Sequence, residues 1–349
     1  MIEITKGNIL EADAEGLVNT VNCVGFMGKG IALQFKQAFP ANFEAYRAAC
    51  DAGEVVLGRM FIFDNSRLIN PRYVINFPTK RHWRGKSRIA DVRSGLEALV
   101  EDVRRLALQS IAVPPLGCGL GGLHWGEVRP MIEKALGELP DVRVLLFEPV
   151  ETPNAKAMPV RTPRPHMTPA RALFIKLMDA YAALEYSRTL LEVQKLAYFL
   201  QEAGEPLRLR YEAGHYGPYA PNLNKVLEVM EGHFIRGYGD SQNPQAEIEL
   251  LPGAVEEAAS FLVGKSEALS RLERVAQLIE GFETPYGMEL LATVHWVAHR
   301  GGPNRDEPAS GPEAAIEQIH DWNPRKQVFK PEHIRTAWNH LGEQDWMRG

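Results

Sequence analysis

Residues 151–169 read ETPNAKAMPVRTPRPHMTP, five prolines in nineteen residues with no apolar period. Proline fixes φ and removes a backbone donor, so neither a helix nor an inner strand runs through such a stretch. It is a linker. It divides the 349-residue chain into a first domain, 1–150, and a second, 170–349. The two have different textures. Before the linker, short β runs (Leu17–Asn22, Arg59–Asp64, Tyr73–Phe77, Ser110–Pro114, Val142–Phe147) alternate with helical patterns at Gly30–Phe39, ending at Pro40, at Ser87–Leu106 with Ser87 as N-cap, and at Glu127–Leu136. That alternation predicts an α/β layered sheet. After the linker the period is helical, at Arg171–Leu184, Thr189–Ala203, Leu223–Glu231 behind an Asn222 cap, Gly253–Val263, Glu267–Glu280 and Met288–Ala298, with one short strand candidate at Glu247–Leu251. The second domain is therefore expected to be mainly helical.

Charge separates the halves as well. Residues 1–150 hold 18 Lys+Arg against 17 Asp+Glu, whereas residues 170–349 hold 18 against 26. A near-neutral front half can meet a phosphate-bearing ligand through local groups; a rear half at net −8 is suited to a basic partner. No apolar run approaches the ~20 residues of a membrane helix, and MIEITKGN lacks the basic start and apolar core of a signal peptide. A cytoplasmic protein without membrane contact is expected. Cys23, Cys50 and Cys118 are too sparse for a disulfide framework and lack metal-ligand spacing, so no metal and no cofactor is predicted.

Three segments of the first domain carry chemistry, each at a strand end. Val21–Gly30, VNCVGFMGKG, opens a helix. Pro114–Gly122, PPLGCGLGG, follows a later strand. Asn76–Arg84, NFPTKRHWR, is basic and aromatic. Glycines at such turns let backbone N–H groups approach a phosphate, and a following helix adds its positive end. Gly117, Gly119 and Gly122 match G-x-G-x-x-G, but the loop comes late and lacks the first-strand context of a dinucleotide fold. Two glycine loops and a cationic loop together suggest two phosphate cradles and a lid around one nucleotide. Cys118, flanked by glycines and without a paired base, reads as a small side chain rather than a nucleophile. Cys23 reads as core.

With these segments in family order, the chain from Met1 to about Pro149 resembles the macrodomain family. Within it, the similarity is to the branch of the terminal ADP-ribose glycohydrolases and the DarG-type antitoxins, which are paired with DarT-type DNA ADP-ribosyltransferases. Gly7–Leu10, Asn19–Ala32, Asn76–Lys80, His82–Trp83 and Pro115–Leu123 carry it. The resemblance implies a mixed central sheet flanked by helices and a site for ADP-ribose. Asn8 and Ile9 would lie near the adenine. Asn22 would bind the distal ribose. Met27, Gly28, Lys29, Gly30 and Ala32 would contact that ribose and the diphosphate, with Thr79 alongside. Leu116, Gly117, Cys118, Gly119, Leu120, Gly121, Gly122 and Leu123 would cover the diphosphate. Lys80 would do the chemistry. Cleavage at the distal ribose C1 develops oxocarbenium character. An amine with a lowered pKa can attack C1, or an ammonium can stabilise or protonate the departing base; the residues leave both open. His82 could assist with a proton, and Trp83 could stack on a base.

One departure bears on the substrate. The human member of the branch pairs its lysine with an aspartate in the second glycine loop; the matching position here is Gly121. That favours the DarG-like variant and ADP-ribosylated DNA, expected to be single-stranded, over modified carboxylates on protein. Two alternatives remain, a reader that binds ADP-ribose without cleaving it and a hydrolase of ADP-ribosylated protein. In the second domain, Leu191–Gln201 and Gly214–Tyr219 resemble the helical antitoxin domain called Panacea. That likeness and the charge of −8 imply a domain that binds the basic groove of a DarT-type toxin.

Overall fold

The computed structural model describes residues 1–66, 69–149, 158–182, 188–239, 247–305 and 307–347. The chain forms two compact units, the first built on Met1–Arg164, the second on Pro165–Tyr238 and Pro244–Gly349. Of the expected linker, 158–169 is described.

In the first unit, chain order is β1 (Ile2–Thr5), a 3-10 turn (Ile9–Glu11), β2 (Gly16–Asn22), α1 (Gly30–Ala38), α2 (Pro40–Asp51), β3 (Phe61–Asp64), β4 (Tyr73–Lys80), α3 (Ile89–Arg105), β5 (Ser110–Val113), α4 (Trp125–Leu136) and β6 (Arg143–Phe147). The six strands form one mixed sheet in the order β1-β6-β5-β2-β4-β3. All neighbours are parallel except β3, which runs antiparallel on the edge of β4. Strand alternation sorts the apolar side chains into two cores. Val18, Ile75, Phe77, Ile111, Val113, Val144 and Leu146 pack with α3 and α4 on one face. Leu17, Val74, Ala112 and Leu145 pack with Phe35 and Ala38 of α1 on the other, and Val21 packs with Tyr46 and Ala49 of α2. On the first face α3 comes so close that a Cβ at Gly95 would meet the Phe77 ring, with Cε1 at 2.5 Å and Cε2 at 3.2 Å.

Four points differ from the sequence expectation. Pro40 starts a helix rather than only ending one: it stands at the first turn of α2, where a missing N–H is harmless. β4 runs three residues past Phe77, through Pro78 to Lys80. Proline is tolerated there because β3 pairs only as far as Asn76 and the β2–β4 register shifts at Val21/Asn22. Ser87 does not cap α3; Arg88 holds that position without a side-chain bond, and Ser87 is buried under the second glycine loop. β1, too short to register as a pattern, pairs with β6.

The second unit is mainly helical, with α5 (Pro169–Ala182), α6 (Leu190–Glu202), the hairpin β7 (Glu212–Gly214) and β8 (Gly217–Tyr219), α7 (Leu223–Met230), the short pair β9 (Ile235–Arg236) and β10 (Glu249–Leu250), α8 (Ala254–Leu262), α9 (Ser266–Ile279), α10 (Pro285–Arg300), α11 (Pro312–His320), a 3-10 turn (Pro324–Val328) and α12 (Pro331–Glu343). The helix expected to end at Leu184 is described as far as Ala182; 183–187 lie outside the described residues. The last two helices start on prolines and escaped the sequence reading. Asn222 does precede α7, but its side chain bridges Arg210 N and Arg208 O instead of capping the helix. A Thr189–Glu192 capping box opens α6. α6 is buried from Glu192 to Leu200, and the two segments singled out in the sequence meet here. Gln194 holds both the N–H and C=O of Ala220, and Lys195 Nζ donates to Pro218 O at 2.6 Å. Burial and the neighbouring Lys326 charge push Lys195 down to about 7. Lys326 is itself tied to Glu289 at 2.9 Å and Thr293 at 3.0 Å.

Candidate active site

Five strands of the first unit point the same way, so the segments after β1, β5, β2 and β4 all emerge at one edge of the sheet, in that lateral order. Ligands of open α/β sheets sit outside the carboxyl ends of strands. From the end of β1 to the end of β4 is four strand spacings, ~19 Å.

The loop after β2 is shaped by its own Asn22. That side chain donates to Phe26 O at 2.5 Å and accepts from Val24 N at 3.0 Å. From α2, the buried Tyr46 hydroxyl donates to Asn22 O at 2.6 Å. Met27 is buried against Tyr46 and Val55, Ala32 packs on the same cluster, and half-buried Lys29 precedes the first turn of α1. Burial lowers the Lys29 pKa. Gly30 opens α1 at φ +58, a left-handed conformation that suits glycine.

The loop after β5 is a compact turn. Leu123 N donates to Gly117 O at 3.1 Å and Gly122 N to Gly119 O at 2.9 Å. The amides of Gly117, Gly119, Leu120 and Gly121 donate to no acceptor among the described residues. Such a run of free N–H groups is an anion cradle. A Cβ at Gly121 would fall well inside 3.0 Å of Gly117 O and Ser87 Oγ. This position therefore has no room for an aspartate, nor for any other side chain, without displacing the loop. Leu116 is buried core, and Cys118 is half-buried with its thiol pushed up to about 11 by burial, which removes it as a thiolate nucleophile at neutral pH.

The loop after β4 joins the other two. Arg81 O accepts from Cys23 N at 3.1 Å, and Ser87 N donates to Gly121 O at 3.0 Å. Lys80 lies opposite Asn22 in the β2–β4 register. Its Nζ reaches Leu120 O at 3.4 Å and Trp83 O at 3.1 Å. Desolvation, and then the charge of Lys86, lower its pKa. Thr79 is buried, with Oγ1 on Val21 O. His82 and Phe26 flank Trp83, at ring distances of 5.4 and 5.1 Å, and the Arg84 guanidinium lies 4.6 Å from it. At the far end of the edge Asn8 caps the 3-10 turn through Leu10 N, and Ile9 is buried.

Sequence reasoning missed the support beneath these loops. Asn19 of β2, Asn76 of β4 and Asn42 of α2 form a fully buried amide chain, Asn19 to Asn76 at 3.0 Å and Asn76 to Asn42 at 2.7 Å. Buried amides on facing strands need partners, so their shared place in the motif was a readable signal. Asn42 and Tyr46 were invisible because α2 itself was. Among the described residues no group of His, Cys, Asp and Glu is arranged to hold a metal.

Residues 18–132 match the Macro domain family. Over its full length the chain is 48% identical to a DNA ADP-ribosyl glycohydrolase of Thermus aquaticus, spanning 95% of that protein. The chain belongs to the DNA ADP-ribosyl glycohydrolase family. Its first unit is a macrodomain. A solved structure, the macrodomain of Mycobacterium tuberculosis DarG, is 51% identical, covering 43% of this chain and 98% of that one, with a TM-score of 0.42. A DNA ADP-ribosyl transferase-DNA ADP-ribosyl glycohydrolase fusion protein of Thermosipho africanus is 33% identical over 165 residues, 43% of this chain and 42% of that protein. No helix among the described residues is long and apolar enough to cross a membrane.

Proposed function

We propose that the macrodomain hydrolyses the bond between ADP-ribose and a modified DNA base, with Lys80 as the catalytic residue. The observation that carries this is the position of the Lys80 amine. It is half-desolvated beside a second cation, opposite Asn22, and bonded to the carbonyl of Leu120 in the loop of free amides. ADP-ribose laid along the strand ends would put adenine near Asn8 and Ile9 and its diphosphate over Gly117–Gly122 and Gly28–Gly30. Its distal ribose would then lie at Lys80 and Asn22. Several candidates contribute backbone rather than side chain: Ile9, Met27 and Leu116 are buried, and the polar atoms of Asn22 are engaged in their own loop. A lowered pKa enlarges the neutral fraction of the amine and suits attack on C1, with the glycosidic electron pair leaving on the base. Gly121 has no side chain to resolve an adduct, so water must do so without a carboxylate there. DNA as the substrate rests on the named activity of the full-length Thermus relative.

We further propose that the second unit, net −8 over 170–349, restrains a DarT-type DNA ADP-ribosyltransferase by occupying its basic groove. The Thermosipho fusion, which joins a DNA ADP-ribosyl transferase to a DNA ADP-ribosyl glycohydrolase, supports a functional pairing of the two activities. Undiminished toxin binding after removal of 170–349 would refute this part.

The test of the enzyme is release of ADP-ribose from a single-stranded oligonucleotide modified on one base. Wild type should liberate ADP-ribose and unmodified DNA. Lys80→Ala should bind ADP-ribose and release none. Binding without release in the wild type would leave a reader of ADP-ribose, and release only from modified protein would move the substrate.

A further inference from the structure

Beside the Lys80 site, the loop after β4 lines a second feature whose residues lie outside the candidate ADP-ribose contacts. Arg81, His82, Gly85, Lys86, Arg88 and Asp91 line an open cavity of about 210 Å³. Three of these are cations and one is an acid. Arg81, Lys86 and Arg88 have no carboxylate within ion-pair distance among the described residues, so their charges are free to meet an anion. The seventeen-residue α3 begins here, Asp91 standing in its first turn, and adds its positive end. Arg81 directly follows Lys80, and at the end of a strand successive side chains leave on opposite sides of the backbone. Lys80 turns toward Leu120 and Trp83, and Arg81 lines the cavity. The Arg81 carbonyl, bonded to Cys23 N, fixes that position. Trp83, 40% exposed, stands in the same loop with His82 against it. Unpaired cations with exposed aromatics between them are how single-stranded nucleic acid is gripped.

We propose that this cavity is a phosphate subsite for the DNA strand, taking the backbone phosphate next to the modified nucleotide on Arg81 and Arg88. The proposal rests on the glycohydrolase reading above and extends it: the enzyme holds a strand rather than only the modified nucleoside. An exposed phosphate contact acts mainly on binding and on its salt dependence.

The test uses the full chain, wild type and the Arg81→Gln/Arg88→Gln double variant. Two substrates are compared, a single-stranded oligonucleotide ADP-ribosylated on one base and the corresponding ADP-ribosylated deoxynucleoside without flanking phosphates. The affinity for free ADP-ribose is measured in parallel. For the oligonucleotide, the double variant should raise KM about tenfold with kcat held. The fall of log(kcat/KM) with log salt should flatten by about 0.7 for each phosphate that the variant no longer neutralises. The nucleoside should be cleaved by both proteins alike. If wild type shows the same kcat/KM and salt slope on both substrates, the phosphate subsite is refuted and the glycohydrolase reading stands. If the double variant loses affinity for free ADP-ribose in the same proportion, the cavity serves the ligand's own diphosphate and the proposal falls. No release from either substrate would overturn the reading beneath it as well.

Discussion

Gly121 gives the sharpest test of how the second glycine loop works. Its Cβ direction is filled from two sides, by the Gly117 carbonyl oxygen and by Ser87 Oγ, with the Gly117 carbonyl carbon at 3.0 Å. Ser87 can relieve its side by rotating a hydroxyl. Gly117 cannot, because its oxygen accepts from Leu123 N at 3.1 Å and its own φ is +70. Gly121→Ala must therefore displace the loop. Overpacking of this kind costs about 1–3 kcal/mol, and a stretched loop hydrogen bond adds roughly 0.5–1.5 kcal/mol. The displaced segment contains Leu120, the acceptor of Lys80, and the free amides. ADP-ribose affinity in the full chain, measured by calorimetry, should fall about tenfold or more, and release from modified DNA should slow with it. Gly121→Asp should do the same and bring no activity toward modified carboxylates. Ser87→Gly added to Gly121→Ala should recover part of the loss, because the Gly117 carbonyl still fills the other side. Wild-type affinity in Gly121→Ala, or complete recovery in the double variant, would show that the loop is not held as described.

Three further outcomes follow from the same geometry. If the neutral Lys80 amine attacks, the release rate rises with pH through its lowered pKa and then levels. Lys86→Met removes the neighbouring charge, raises that pKa and moves the limb to higher pH; a rate that falls as pH rises would assign the work to the ammonium instead. Gly95→Ala should destabilise the macrodomain by about 1–3 kcal/mol in denaturant unfolding, because its Cβ enters the Phe77 ring, and Phe77→Leu in that background should recover part of it; an unchanged midpoint in Gly95→Ala would disprove the close approach. Tyr46→Phe leaves the buried Asn22 carbonyl without its hydroxyl donor, which should cost about 1–3 kcal/mol and raise KM; an unchanged KM would separate Tyr46 from the ligand loop.

The chain's own order of residues determined a good deal. Strand runs alternating with helical periods define a layered sheet, because periods of two and 3.6 bury different faces. Glycines cluster where strands end because backbone must come close to something there, and Lys80 stands out once the segments around it are read together. What the residues could not disclose were contacts between distant positions. Pro40 reads equally as the end of one helix and the start of the next, and packing against Val21 and Asn22 made it the start of α2. Ser87 has the chemistry of a cap. Tertiary structure placed it under Gly121, converting an apparent loss of an acid into a position with no space for any side chain. Lys80 and Leu120 are forty residues apart and meet because β4 and β5 flank β2 in parallel, so that their carboxyl ends open at the same edge only two strands apart. Local pattern is set by nearest neighbours in the chain; a desolvated amine beside a cradle of amides is set by strand order, and strand order is a property of the folded sheet.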